Sequence, residues 1–244
     1  MALVRVENLK KTYKQFDAVK GISFEINRGE IFGLIGPNGA GKTTTLRILS
    51  TLLSTTEGKV LINDREVQHQ PDEIRKLISY LPEDAGIYKN LRGREYLEFI
   101  AGFFKDREPL QKMVERGVEI ANLGDRINDK VQNYSKGMTR RLVIARALMV
   151  QPVLAILDEP TSGLDVINAH DVRNVIRNSL SEERSVLLSS HNMHEVEFLC
   201  DRVALIHSGK IIEYGKVEEI KERYGMNDIE GIFMKAVGEA TDAR

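Results

Sequence analysis

The sequence predicts an α/β fold with a mainly parallel sheet, on three observations. Apolar runs of strand length alternate with segments of helical periodicity. One such strand, Glu30–Ile35, feeds a Gly-rich turn that opens a helix. Another, Val153–Leu157, ends in two adjacent carboxylates. Strands separated by helices are joined by crossovers, and crossovers give parallel pairing. A strand-rich start adds an antiparallel portion.

In chain order, Leu3–Val6 alternates, and Ile22-Ser23-Phe24-Glu25-Ile26 alternates cleanly. From Lys42 the pattern turns helical, with Leu46, Leu49 and Leu53 on one stripe and Gly58 as the stop. Lys59–Ile62 and Ile78–Leu81 read as short strands. From about Asp84 to Val150 the chain is mostly helical. Tyr96, Phe99, Ile100, Phe103 and Phe104 recur there at helical spacing, which places them in a core or, for some, on a partner-facing surface. Val153–Leu157 reads as a buried strand, followed by a helix carrying Ala169, Val172, Val175, Ile176 and Leu180. Val186–Leu188 is the next strand, then a short helix, then the strand Val203–His207. Ser208-Gly209 is a hairpin turn into Lys210–Tyr214. From about Lys216 a helical tail is expected, with no second domain.

Composition narrows the function classes. Lysine plus arginine (35) nearly balances aspartate plus glutamate (36), so the basic excess of a nucleic-acid binder is missing and no nucleic acid is expected as a partner. The single cysteine, Cys200, excludes a disulfide framework within these residues and is expected to pack as a small apolar side chain. The most apolar stretch, Ala145–Leu157, is broken by Gln151 and Pro152 and falls short of the roughly 20 residues a bilayer span needs. Any membrane connection is therefore expected through a partner.

Gly36-Pro37-Asn38-Gly39-Ala40-Gly41-Lys42-Thr43 matches G-x-x-x-x-G-K-[ST] between a strand and a helix. Glycines let the backbone turn so that several N–H groups aim at one phosphate, and the helix beginning near Lys42 adds its positive end. Lys42 is expected on the β- and γ-phosphates, Thr43 on Mg²⁺, and the neighbouring Thr44 among the ATP-binding residues. The strand before Asp158-Glu159-Pro160 delivers charge at its carboxyl end, where ligands of open α/β sheets sit. Asp158 is expected to orient Mg²⁺ or its waters, and Glu159 to polarise the attacking water as a general base.

Taken together, these segments resemble the ABC (ATP-binding cassette) ATPase family, and the resemblance covers nearly the whole chain. Tyr134-Ser135-Lys136-Gly137-Met138 resembles the family's signature segment, with Lys136 for the first glycine and Met138 for glutamine. The resemblance implies that ATP is sandwiched between two chains, with Ser135, Lys136, Gly137 and Met138 acting in trans. Ser162-Gly163-Leu164-Asp165 looks like the D-loop that crosses this interface; Asp165 also suits a helix cap. His191 stands where the family has its switch histidine, expected on the γ-phosphate and on Glu159. Tyr13 matches the aromatic that stacks on adenine. Glu83 stands where the family usually has glutamine, a replacement that still offers Mg²⁺ a hard oxygen. His69, His170, His194 and His207 have no such motif and are read as ordinary histidines.

The implied architecture is a P-loop NTPase core with an antiparallel β subdomain and an inserted α-helical subdomain. Residues 1–83 and 151–215 form the catalytic core, about 84–150 the helical subdomain, and 216–244 the tail. The chain has no coiled-coil insertion, zinc-binding cysteines or second cassette, which mark other branches of the superfamily, and the regulatory domain common in sugar importers is not expected. Tyr134–Met138, Glu83 and the tail Ile232-Phe233-Met234-Lys235 resemble ATPase subunits of ABC-2-type exporters. Expected partners are transmembrane permease subunits and a second ATPase domain, identical or related, on the cytoplasmic face of the cell membrane. The alternative from another class is a soluble ABC ATPase serving as an assembly or scaffold factor. A nucleotide-binding module without hydrolysis is the third reading, and Glu159 with His191 argues against it.

Overall fold

The structure, a computed structural model, describes residues 2–242. Its elements run β1 (Ala2–Tyr13), β2 (Phe16–Asn27), β3 (Ile31–Ile35), α1 (Lys42–Leu49), β4 (Glu57–Ile62), β5 (Arg65–Glu66), α2 (Pro71–Arg75) and β6 (Ile78–Leu81). Next come α3 (Gly93–Ala101), α4 (Leu110–Ala121), α5 (Lys136–Leu148), β7 (Leu154–Asp158), α6 (Val166–Asn178), β8 (Ser185–Ser190) and α7 (Met193–Leu199). The described chain closes with β9 (Arg202–His207), β10 (Lys210–Lys216), α8 (Val217–Tyr224) and α9 (Ile229–Asp242).

Two sheets form. One is antiparallel, in the order β2-β1-β4-β5; the other has the order β10-β9-β3-β8-β7-β6 and is parallel except for the β9–β10 hairpin. Strands β3, β7 and β8 are buried along their whole length, which is why they read as continuous apolar runs. One apolar cluster fills the space between the two sheets, where Phe24 and Phe32 stack at 5.3 Å. A second covers the other face of the six-stranded sheet beneath α5, α6 and α7. A third lies among α3, α4 and α5. Cys200 is buried, and that burial pushes its thiol pKa far up, as an apolar packing role requires.

Two sequence expectations are corrected. β1 and β2 are much longer than the alternating stretches suggested. Their outer face carries Glu7, Lys10 and Lys11, and bulges around Asn8 (φ 46°) break the period-two pattern. α1 stops at Leu49 and does not reach Leu53. Gly58 lies within β4, where a Cβ would come within 2.3 Å of the Asn8 carbonyl oxygen, so this glycine marks a close strand approach. The aromatics of α3 and its extension, open between core and surface in the sequence, divide: Tyr96 is fully buried, and Phe99 and Phe103 are 44% and 71% exposed. The buried face of α3 takes in Tyr96, Leu97 and Ala101; Phe99 and Phe103 stand beside it and pack edge-on against each other at 5.3 Å.

Candidate active site

The site is assembled by neighbouring strands. β8 lies between β3 and β7, with Ile35 opposite Ser190 and Asp158 opposite Ser189. The carboxyl ends of these strands therefore release Gly36, Glu159 and His191 side by side. A hydrogen bond from Gly36 N–H to the Ser190 carbonyl, 3.2 Å, ties the first loop to the middle strand.

The loop from Gly36 to Gly41 requires glycine at both ends. A Cβ on Gly36 would lie 2.0 Å from the Ile206 carbonyl oxygen, and Gly41 holds φ at 108° immediately before α1. α1 has no acidic residue in its first turn, so its amino end is free of competing negative charge. Lys42 is only 5% exposed. Its Nζ donates to the carbonyls of Gly36 (2.7 Å) and Pro37 (3.2 Å) and lies 3.3 Å from Glu159 Oε1. Thr43 Oγ1 stands 3.3 Å from Asp158 Oδ1.

The two carboxylates are buried and differently held. Ser189 Oγ donates to Asp158 Oδ1 at 2.5 Å and accepts from the Glu159 amide at 3.0 Å. Glu159 adopts φ 48°, an uncommon left-handed conformation that turns its side chain across to β8. There Oε2 meets His191 Nδ1 at 2.9 Å and the His191 amide at 3.3 Å. Oε1 is buried without a hydrogen-bond partner and faces the Lys42 ammonium. Arg140 of α5 supports this turn from behind, donating to the carbonyls of Glu159 (2.7 Å) and Glu83 (3.1 Å). Burial holds the Arg140 pKa below its ordinary value, against the opposing pull of nearby Glu83, Asp84, Glu159 and Asp158.

A cavity of about 230 Å³ opens over the loop, lined by Asn38, Gly39, Lys42, Thr43, Thr44, Glu83, Glu159, Tyr13 and Phe16. Tyr13 is 42% exposed, with the Lys11 ammonium 5.3 Å from its ring centre. A larger cavity, about 520 Å³, lies between α4, α5 and α6 and includes none of the motif residues. The smaller one holds the chemistry: a buried cation, a buried acid and loop amides.

The donor set also fits a magnesium ion. Among the described residues no group of three or more His, Cys, Asp or Glu side chains forms a metal cluster. Thr43 and Asp158 instead offer a hydroxyl and a carboxylate, the sparse oxygen set on which Mg²⁺ completes its shell with waters and phosphates. Glu83 lines the cavity but bonds elsewhere: its Oε1 accepts from Ser162 at 3.3 Å.

The segments expected from the sequence to form a signature and a D-loop, residues 134–138 and 162–165, stand outside this cavity. Ser135 caps α5 by accepting from the Met138 amide at 3.2 Å. Asp165 caps α6 through the Asn168 amide at 2.9 Å. Gly137 packs against Asn168, where a Cβ would come within 2.0 Å of the amide oxygen, and the Lys136 ammonium covers Gly163. The remaining histidines are elsewhere: His69 meets Glu66, His170 meets Asn174, His194 meets Glu230 and His207 meets the Phe233 ring.

Sequence reasoning missed Ser189, Arg140, Asn168 and Phe16. Ser189 alone carried a local signal, as a polar residue closing an apolar strand run.

A Gly-rich loop and an acid delivered from separate parallel strands at one sheet edge define a P-loop NTPase fold. The comparisons narrow this further. The sequence model of the family described as "ABC transporter" matches residues 19–162. The ABC transporter ATP-binding protein NatA of Bacillus subtilis is 35% identical over 94% of this chain and 93% of its own. The lipopolysaccharide export system ATP-binding protein LptB of Haemophilus influenzae is 34% identical over 93% and 94%. A solved dimeric ATP-binding cassette in a post-hydrolysis state, bound to ADP and Pi, superposes with a TM-score of 0.77 at 26% identity, covering 88% of this chain and 98% of that one. The chain belongs to the ABC transporter family, as one of its ATP-binding proteins. Among the described residues no helix is long and apolar enough to cross a membrane.

Proposed function

We propose that this chain is the ATP-hydrolysing subunit of a membrane exporter, working as a dimer in which each nucleotide lies between two copies or two related chains. One observation carries the reading: Lys42, Glu159 and His191 converge from β3, β7 and β8, with Glu159 between the other two at 3.3 and 2.9 Å. That is a cation, a base and a residue orienting the base, in the order phosphoryl chemistry needs.

In this reading the amides of Gly36 to Gly41 and the α1 terminus bind the phosphates, Asn38 and Thr44 line the pocket, and Tyr13 stacks on the adenine. Lys42 exchanges its present carbonyl contacts for the β- and γ-phosphates. Thr43 and Asp158 would hold Mg²⁺, which when bound would supply positive charge to offset that of the phosphates; Glu83 faces the same space from its loop. Glu159 takes the proton of the attacking water, with His191 holding the carboxylate in place. Ser135 and Gly137, with Lys136 and Met138, face the partner's nucleotide, and Asp165 lies at the same interface. Residues 1–83 with 151–215 act as the catalytic core, about 84–150 as the helical subdomain that moves against permease subunits, and 216–244 as the tail. The export direction draws support from the relative named for an export system, and the dimer from the relative solved as one.

The test is Glu159→Gln. The variant keeps ATP binding, loses about 10²–10⁴-fold in kcat and accumulates as an ATP-bound dimer on size exclusion. Hydrolysis at the wild-type rate refutes the assignment. Co-purification with a multi-span membrane protein tests the transport role; a soluble partner in its place refutes it.

A further inference from the structure

We infer that Glu195 is a positioning residue for His191, acting through Thr161. This rests on the proposed reading that the Glu159–His191 pair drives hydrolysis.

β7 and β8 are adjacent and in register, so the segments leaving them run side by side. The first cross-link between those segments is Glu159 to His191. The His191 side chain is 46% exposed, so surrounding packing does little to fix its ring. Its backbone is held from both sides, by β8, which ends at Ser190, and by α7, which begins at Met193.

α7 is joined to the Glu159 segment by a second cross-link. Thr161, two residues beyond Glu159, donates from Oγ1 to Glu195 Oε2 in a short hydrogen bond. The other oxygen of Glu195 lies 3.4 Å from Arg173 Nη1 on α6. The Glu195 side chain is 13% exposed and Thr161 only 7%. A carboxylate so sheltered from water is stable only while its partners stay in place, which fixes the distance between α7 and the Glu159 segment. The far side of α7 is held by buried Val196 and Leu199. Arg177 of α6 donates to the carbonyls of Phe198 and Leu199, so α6 grips the helix at a further point. Glu195 does not line the loop cavity. It acts by holding His191 at bonding distance from Glu159, because the short step along the chain from His191 into the first turn of α7 transmits displacement with little loss.

The decisive variants are Thr161→Val, which removes the hydroxyl at nearly constant shape, and Glu195→Gln. Steady-state ATP hydrolysis is measured with thermal melting as a folding control. Both variants lower kcat about tenfold, less than the roughly 100-fold that a 1 Å misplacement costs, while KM for ATP changes less than about twofold. Thr161→Ser restores the rate. In a His191→Ala background, Thr161→Val produces no further loss. Wild-type kcat in Thr161→Val overturns the proposal and leaves the histidine's role standing. An equal tenfold loss in the His191→Ala background also overturns it, since the hydroxyl then acts independently of the histidine. Wild-type kcat in His191→Ala alone refutes the underlying role of His191, and this proposal with it. Should Glu195→Gln fail to fold, Thr161→Val and Thr161→Ser decide the question.

Discussion

Replacing Ser189 by alanine removes one oxygen atom that serves both acids of the site. Ser189 is fully buried and Asp158 is 1% exposed, so water cannot take over its role without opening the strand pair. The hydroxyl donates to Asp158 at 2.5 Å and accepts from the Glu159 amide at 3.0 Å. Losing a hydrogen bond to a charged group costs about 1.5–3 kcal/mol, and orphaning a buried amide about 1–3 kcal/mol. Thr43 Oγ1 remains 3.3 Å from the same Asp158 oxygen and offsets part of the first loss. The expected destabilisation is therefore near the low end of the sum, about 3 kcal/mol. With a urea slope of about 3 kcal/mol/M, the midpoint falls by roughly 1 M. The same oxygen sets the Glu159 backbone, so kcat should fall about 10–100-fold even well below the new midpoint. Urea denaturation and steady-state hydrolysis measure the two effects. A midpoint shift under about 0.2 M with unchanged kcat would refute the reasoning.

Gly36→Ala places a methyl 2.0 Å from the Ile206 carbonyl oxygen and 3.1 Å from its carbon, neither of which is the end of a flexible side chain. The loop must shift, and ATP affinity should drop at least about tenfold, a cost of some 1.4 kcal/mol; wild-type binding of a fluorescent ATP analogue would contradict this. Asp165→Ala tests the α6 cap by pH. Hydrogen bonds from the Asn168 amide and side chain hold the Asp165 carboxyl below its ordinary 3.8. A depressed carboxyl stabilises the fold above its unfolded pKa and loses that contribution as pH falls through the folded value. The stability gap between wild type and Asp165→Ala should therefore close as pH drops below about 4, and urea midpoints that keep a constant gap from pH 7 to about 3 would count against the cap.

The parts of the fold legible in the sequence are those whose signal is local. β3, β7 and β8 are buried on both faces, and their apolar runs announce them. The loop at Gly36–Lys42 is legible because its glycines and lysine act on one ligand from one turn. The Ser208-Gly209 hairpin is legible because both residues need positive φ, 49° and 81°. The outer halves of β1 and β2 were hidden because a bulge resets their alternation. Phe99 and Phe103 stayed open between core and surface because helical spacing reports which residues share a side, not how wide the covered side is. Ser189 and Arg140 make their contacts 30 and 19 residues away in sequence, at Glu159. No window along the chain contains such a pair; only the strand order brings them together.

Arg140 belongs to the helix that Ser135 begins, yet its guanidinium is anchored on two loops of the sheet edge, at the carbonyls of Glu83 and Glu159. A planar fork satisfied at both prongs leaves no slack. Any tilt of α5 relative to the sheet must snap one prong or tow one of the loops along. Leverage therefore runs both ways between the helix end that Ser135 caps and the backbone bearing the acid, so neither can be re-aimed without the other registering it.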